Sequence, residues 1–177
     1  MNKVLTSLLI IVFVSFKVYA QEEASEEIGN EPKNQITFVL GLTHIPDAFE
    51  EGELSESVFV PTIGIDYFRE LNEKWIVGAV LDLELGNYLV DFQREEIKRE
   101  SAFVIGVLAG YEVLKNWALL AGPAIEFEKN KNLFVFRAST EYRFELENNW
   151  GILPSLNYDF KEEYSTWAIN IGVGKKF

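Results

Sequence analysis

The chain has no cysteine, a single histidine, and no methionine after Met1. Without Cys there are no disulfides, no thiol nucleophile and no lipoprotein anchor. One His and no Cys also rule out a zinc-type ligand cluster. Beyond the first twenty residues no apolar run reaches the roughly 20 residues that a membrane-spanning helix needs. Insertion into a bilayer would therefore have to use strands. Positive charge is scarce as well, with 16 Lys and Arg against 28 Asp and Glu and a formal net charge of -12. Such a chain repels phosphate backbones, which excludes nucleic acid as a partner.

What is present begins with a leader. Lys3 supplies a positive start, Val4 to Phe16 form a short apolar core, and Val18-Tyr19-Ala20 offers a small-residue cleavage site before Gln21. The spacing predicts a cleaved secretory signal over residues 1–20. Removal of Lys3 and Lys17 leaves about 157 residues carrying a charge near -14, enough for one domain. Residues 21–34 are acidic and aperiodic, which predicts a disordered tether. A barrel domain is expected over residues 35–177.

From Gln35 onward, alternating segments follow one another between turn signals. Eight strands are predicted: 35–46, 58–69, 75–86, 101–113, 117–128, 133–145, 150–161 and 164–177. Each is long enough to cross a bilayer at barrel tilt. The even count fits an all-β, closed, antiparallel up-and-down transmembrane barrel with both ends on one side. Connections alternate between tight polar turns (70–74, 114–116 and 146–149) and a more variable set that includes the long segments 47–57 and 87–100, with Tyr88, Val90 and Phe92 able to extend the third strand beyond the membrane. Each tight turn is followed at once by a Trp: Trp75, Trp117 and Trp150. A Trp ring prefers the headgroup level, so the three predict an aromatic girdle at the periplasmic rim.

Alternation alone leaves the two faces interchangeable, and composition decides between them. One parity carries Phe38, Leu40, Ile63, Ile65, Leu81, Phe136, Ile169 and Ile171; the other carries Gly41, Gly64, Gly106, Gly110, Gly122, Gly172 and Gly174. Glycine weakens a solvent-facing strand but makes room inside a narrow barrel, so the glycine face is expected inward. That places Asp66, Asp82, Glu84, Glu112, Glu126, Arg137, Glu141, Arg143, Asp159 and Lys176 in the lumen. Buried charges need partners. Two layers are expected: Arg137 with Asp82, Glu84 and Glu126, and Arg143 with Lys176 facing Asp66, Glu112 and Glu141. Carboxylates outnumber cations, which keeps open a cation site or a narrow cation-selective path beside a polar plug. Pro61, Pro123 and Pro154 fall inside predicted strands, where bulges or weak pairing are expected.

Catalytic motifs are lacking. His44 has no His-x-Ser pairing and no aligned nucleophile, and it reads as an interfacial residue at the outer rim. Gly172-Val173-Gly174 lies in a strand with no helix after it, which is no phosphate loop. No catalytic, metal or cofactor site is predicted, and the chain is not expected to be an enzyme.

The last strand ends on Phe177 after Trp167, Ile169, Ile171 and Val173, all of one parity. It resembles the closing strand of bacterial outer-membrane barrels, in which a terminal Phe signals to the assembly machinery; Lys175 departs from that pattern. Residues 136–177, with the Arg137–Phe144 strand, Trp150 and Pro154, Tyr158-Asp159, Trp167 and Gly174-Lys175-Lys176-Phe177, resemble small eight-stranded outer-membrane proteins of Gram-negative bacteria, of the Bacteroidota type. The resemblance implies the barrel fold and a place in the outer membrane; a monomer in contact with membrane lipid and lipopolysaccharide is expected. The function expected is structural or surface-binding through segments 47–57 and 87–100. A porin-like, narrow cation channel or cation-binding barrel is the alternative, with a lipid-modifying enzyme a distant third.

Overall fold

A computed structural model describes residues 32–46, 48–49, 57–92 and 95–177. The leader, nearly all of the tether and most of segment 47–57 lie outside the described residues. Ten strands run in chain order: β1 (Asn34–Pro46), β2 (Ala48–Phe49), β3 (Ser57–Glu70), β4 (Trp75–Phe92), β5 (Glu95–Leu114), β6 (Trp117–Phe127), β7 (Leu133–Tyr142), β8 (Phe144–Glu145), β9 (Trp150–Lys161) and β10 (Ser165–Lys176). Eight are long, and β8 resumes β7 past Arg143. Each long strand pairs antiparallel with its neighbours, and β10 pairs both β9 and β1, so the sheet closes into a barrel. The closing seam ends in a clasp. Asn34 donates its N–H to the Phe177 carbonyl at 3.1 Å, and Phe177 returns one to Asn34 at 2.8 Å.

The lower end, which carries the seam's ends, is made of tight turns that use Asn for a reason. Asn72 Oδ1 accepts the N–H groups of Lys74 and Trp75, both at 3.0 Å, which closes the β3–β4 turn. Asn116, Asn148 and Asn149 adopt left-handed backbone at φ 66°, 56° and 64°, a region Asn enters more readily than most residues. Each turn delivers its Trp to the same rim with the ring exposed. Trp75 meets Tyr111 edge-on at 5.1 Å, and Trp117 Nε1 donates to Thr140 Oγ1 at 2.7 Å.

The outer surface is an apolar belt. Phe38 is 53% exposed and Ile169 60%, and Leu40, Leu42, Ile65, Phe134, Phe136, Leu156 and Ile171 are exposed with them. A belt of this extent, far beyond the patches soluble proteins leave uncovered, is a surface for lipid. The glycines do point inward. A Cβ on Gly64 would lie 2.2 Å from Asp82 Oδ1, and one on Gly41 would lie 1.9 Å from Asn170 Oδ1. Polar lumenal side chains occupy the room the glycines leave.

The prolines weaken pairing on one side each, without a bulge. Leu42↔Pro61, Pro123↔Phe136 and Ile171↔Pro154 sit in unbroken register. On the other flank, the β3–β4 ladder stops at Thr62, the β5–β6 ladder skips Pro123, and the β7–β9 ladder stops at Ser155. Because a residue's N–H and C=O point toward the same neighbour, a missing N–H interrupts one ladder and spares the other. The bulges lie elsewhere, at Glu84/Asn87 between β4 and β5 and at Glu112/Leu114 between β5 and β6.

Segment 87–100, expected as a long connection into which the third strand could extend through Tyr88, Val90 and Phe92, is for the most part a continuation of the ladder. Asn87–Phe92 pairs with Glu95–Glu100 as a β4–β5 hairpin beyond the barrel rim, and β2 adds to its β4 edge at Leu89 and Val90. Outside the lipid zone the requirement for an apolar outward face lapses, so a charged, non-alternating stretch still forms strand.

Candidate lumenal charge network and outer cap

Below the upper rim the lumen holds two connected charged layers. In the central one, Arg137 donates Nε to Asp159 Oδ1 at 2.7 Å and Nη2 to Asp159 Oδ2 at 2.8 Å, a bidentate fork on its direct cross-strand partner. Its Nη1 reaches Asp82. All three side chains are buried. The expected Arg137–Asp82 pair is present, but Arg137 does not take Glu84 and Glu126.

Those two carboxylates belong to a second layer built on cations missing from the expected set. Lys161 Nζ lies 2.5 Å from Glu126 Oε2 and 3.7 Å from Glu84 Oε2, with the Tyr164 ring centroid 5.0 Å away. Arg99, fully buried, contacts Glu126, reaches Glu128 Oε2 at 3.3 Å, and donates to the Lys131 carbonyl at 2.8 Å. Lys161 shares the inward parity of Asp159, so one more step along β9 finds it. Arg99 carries no such signal. Continuing the β5 alternation from Ala102 would turn Arg99 outward, yet both residues are buried. The alternation breaks between them at Ser101, where φ is 39°.

The layer is incompletely satisfied. Glu84 Oε2 and Arg99 Nε are buried and make no hydrogen bond, while Lys161 Nζ and Glu126 Oε2 meet as an ion pair. Above it sits an apolar cap of Ile45, Ala48, Val58, Val60, Tyr88, Val90, Leu133 and Tyr164. On the exposed side of the hairpin, a hydrogen bond from Lys98 and then the charge of Lys129 hold the Glu100 carboxyl below its usual range.

Toward the lower mouth the arrangement is looser. Arg143 donates Nη1 to Gln35 Oε1 at 2.6 Å and Nη2 to the Asn149 carbonyl at 2.8 Å. Lys176 Nζ pairs with Glu70 Oε1 at 2.7 Å, a partner not anticipated, and Glu112 accepts the Asn116 N–H at 2.8 Å. Glu112, Glu141, Arg143 and Lys176 line one cavity as expected, whereas Asp66 lines the next one up, beside Asp82 and Arg137. Nor is the packed lumen wholly polar, since Phe68, Val80, Leu108 and Leu120 form an inward apolar cluster.

Three small cavities follow the axis. The lower mouth holds about 50 Å³ beside Glu70, Glu141, Arg143 and Lys176. A second of about 20 Å³ touches Asp66, Asp82, Arg137 and Glu141, and a third of about 10 Å³ touches Thr62, Asp82, Glu84 and Asp159. The upper two are on the scale of single waters. Among the described residues no acidic or His grouping is arranged to hold a metal ion. His44 faces outward near the upper rim, stacked on Trp167 at 4.8 Å and tilted against Phe59 at 4.7 Å, with Nδ1 buried and unpartnered.

No family model matches the chain, and no curated protein matches it by sequence. Solved structures do match in fold. The outer membrane protein OprG from Pseudomonas aeruginosa aligns at TM-score 0.54 and 14% identity, over 84% of this chain and 98% of that one. Neisserial surface protein A aligns at TM-score 0.53 and 10% identity, over 81% and 97%. Ail, the attachment invasion locus protein of Yersinia pestis, in complex with the heparin analogue sucrose octasulfate, aligns at TM-score 0.52 and 15% identity, over 84% and 100%. At such identities the likeness is one of architecture: the small outer-membrane barrel.

Proposed function

We propose that this chain is a monomeric outer-membrane barrel that conducts nothing through its lumen and acts from its upper end, as a structural or surface-binding protein. The lower rim, with its Trp girdle, faces the periplasm, and Phe177 addresses the assembly machinery. The belt contacts membrane lipid and, in the outer leaflet, lipopolysaccharide. The leader over residues 1–20 supports export, and the resemblance over residues 136–177 supports a Bacteroidota-type member. The observation carrying the reading is closure of the lumen by two buried ion-pair layers under an apolar cap. Rigid barrels present recognition elements at their ends, which points to the β4–β5 hairpin and segment 47–57. The protein is not an enzyme in this reading, for His44 stacks between aromatic rings rather than facing a nucleophile.

A narrow cation path remains the second reading, favoured by the carboxylate excess along the three cavities. Purified protein in planar bilayers separates the two. Silence is the expected result, whereas an ohmic, cation-selective step in wild-type protein would replace the first reading with the second. Recovery of the native chain as a soluble periplasmic species, rather than as a heat-modifiable band from outer membranes, would remove both.

A further inference from the structure

We propose that the β4–β5 hairpin is a hinged lid, and that Arg99 is its tethered cation, filling an acidic cup that takes small guanidinium- or ammonium-bearing molecules when the lid lifts. Hinge, latch and floor are separate observations. At the hinge, Leu85 and Gly86 face Ser101 across the one register shift of β4 and β5. Ser101 holds a left-handed φ of 39°, a conformation most residues with a side chain avoid. A Cβ on Gly86 would lie 2.3 Å from Val60 Cγ1, so this glycine lets the strand bend against β3.

The latch is a guanidinium held as a ligand would be held. It is fully buried and touches Glu126, Glu128 and the carbonyl of Lys131, which lie on β6 and the turn after it, outside the lid. Lifting the hairpin removes Arg99 and leaves Glu84 and Glu126 with Lys161 and the Tyr164 hydroxyl, and Glu128 with the N–H groups of Asn130 and Lys131. The cup then has three carboxylates for one ammonium, with Tyr164 as an aromatic wall. A planar cation with several N–H donors matches that vacancy as the side chain does.

The floor explains why closure is poised rather than locked. Arg99 Nε is buried without a hydrogen bond, and buried Glu84 Oε2 has only Lys161 Nζ, at 3.7 Å. Each unmet group offsets part of the gain from burying Tyr88 and Val90 in the cap. Water entering under a raised lid satisfies them.

The inference deepens the surface-binding reading and rests on it only for the side the hairpin faces. A test in detergent micelles is blind to sidedness, so its failure is distinguishable from failure of that reading. The chain lacks Cys, so Val60→Cys places one thiol in the cap beneath the hairpin, to be timed with a water-soluble methanethiosulfonate. In the otherwise wild-type protein labelling is expected to be slow. Arg99→Ala is expected to speed it at least tenfold, and millimolar methylguanidinium to slow it again. Ser101→Val, a β-branched side chain at positive φ, is expected to speed labelling with the latch residues intact. Should Arg99→Ala lose its heat-modifiable band, Ser101→Val carries the test of the lid, and protection of that variant by methylguanidinium carries the test of the cup. Labelling that neither substitution accelerates overturns the lid. Acceleration that methylguanidinium leaves unchanged overturns the cup.

Discussion

The two ends of this lumen handle charge differently. In the central and upper layers, Arg137 contacts two carboxylates, Arg99 contacts two carboxylates and a carbonyl, and Lys161 lies beside two carboxylates; all three cations are buried. At the lower mouth, Arg143 is held by the neutral oxygens of Gln35 and Asn149, and Lys176 takes one partner in a half-open pair beside a cavity of about 50 Å³. Burial of the cation alone does not separate the ends, since Arg143 is 6% exposed against 4% for Arg137; the room beside it does, about 50 Å³ at the lower mouth against about 20 and 10 Å³ above. A solvated charge needs no protein partner in fixed ratio, whereas a dry one must be paired or its burial is costly. In this barrel the pairing is tighter where the cavities are smaller, and looser where there is room for water.

The largest effect should come from the central layer. Arg137→Met deletes the shared cation of Asp82 and Asp159 and leaves both carboxylates buried. Breaking a buried pair from one side typically costs about 3–5 kcal/mol. Urea unfolding in lipid vesicles, followed by Trp fluorescence, should show a loss of that order. A loss under about 1 kcal/mol would mean that water reaches Asp82, and the proposed division of the lumen would fail.

A smaller effect separates two glycines. A Cβ at Gly64 meets Asp82 Oδ1 at 2.2 Å and the Leu81 carbonyl oxygen at 3.0 Å, and Asp82 is itself pinned by Arg137. Gly64→Ala should therefore cost about 1–3 kcal/mol, the usual range for overpacking. A Cβ at Gly151 meets only the far end of Arg143, nearest atom 2.7 Å, beside a cavity into which that side chain can swing. Gly151→Ala should cost measurably less in the same assay. Equal losses would show the lower mouth to be as rigid as the layers above it.

How much of this was legible in the sequence follows the lipid boundary. Within the belt, every residue must choose between lipid and lumen, so period-two alternation assigned Ile169, Gly64, Asp82 and Arg137 to their faces. The three Trp rings at the lower rim were legible too, because Asn-bearing turns fix where each strand restarts. Above the belt that choice lapses. Tyr88, Val90 and Phe92 carry the alternation of the third strand into the hairpin, but Glu95–Glu100 is charged on both faces and gives its second half no signature. Arg99 turns inward only because the backbone changes hand at Ser101, a tertiary event with no local residue pattern behind it. Lys161 was legible in principle by the parity of Asp159, but as the last residue of β9 it has nothing after it to confirm the alternation. The partners of Arg143 and Lys176 were opaque for another reason: near water, many pairings are close in energy.

The smallest effect tests that last statement. Lys176 and Glu70 form an ion pair at the lower mouth, with side chains 25% and 34% exposed. Pairs this accessible are worth about 0–1 kcal/mol, since solvent already stabilises each partner. Lys176→Met keeps most of the apolar stem and removes the charge, so unfolding should shift by less than about 1 kcal/mol. The shift should shrink further in roughly 1 M salt, where screening acts over about 3 Å. Arg137→Met, behind the dry layer, should keep its full cost at that salt concentration. If Lys176→Met instead loses more than about 2 kcal/mol and ignores salt, the lower mouth is sealed like the upper one. The contrast between the two ends would then come from chain topology rather than from water.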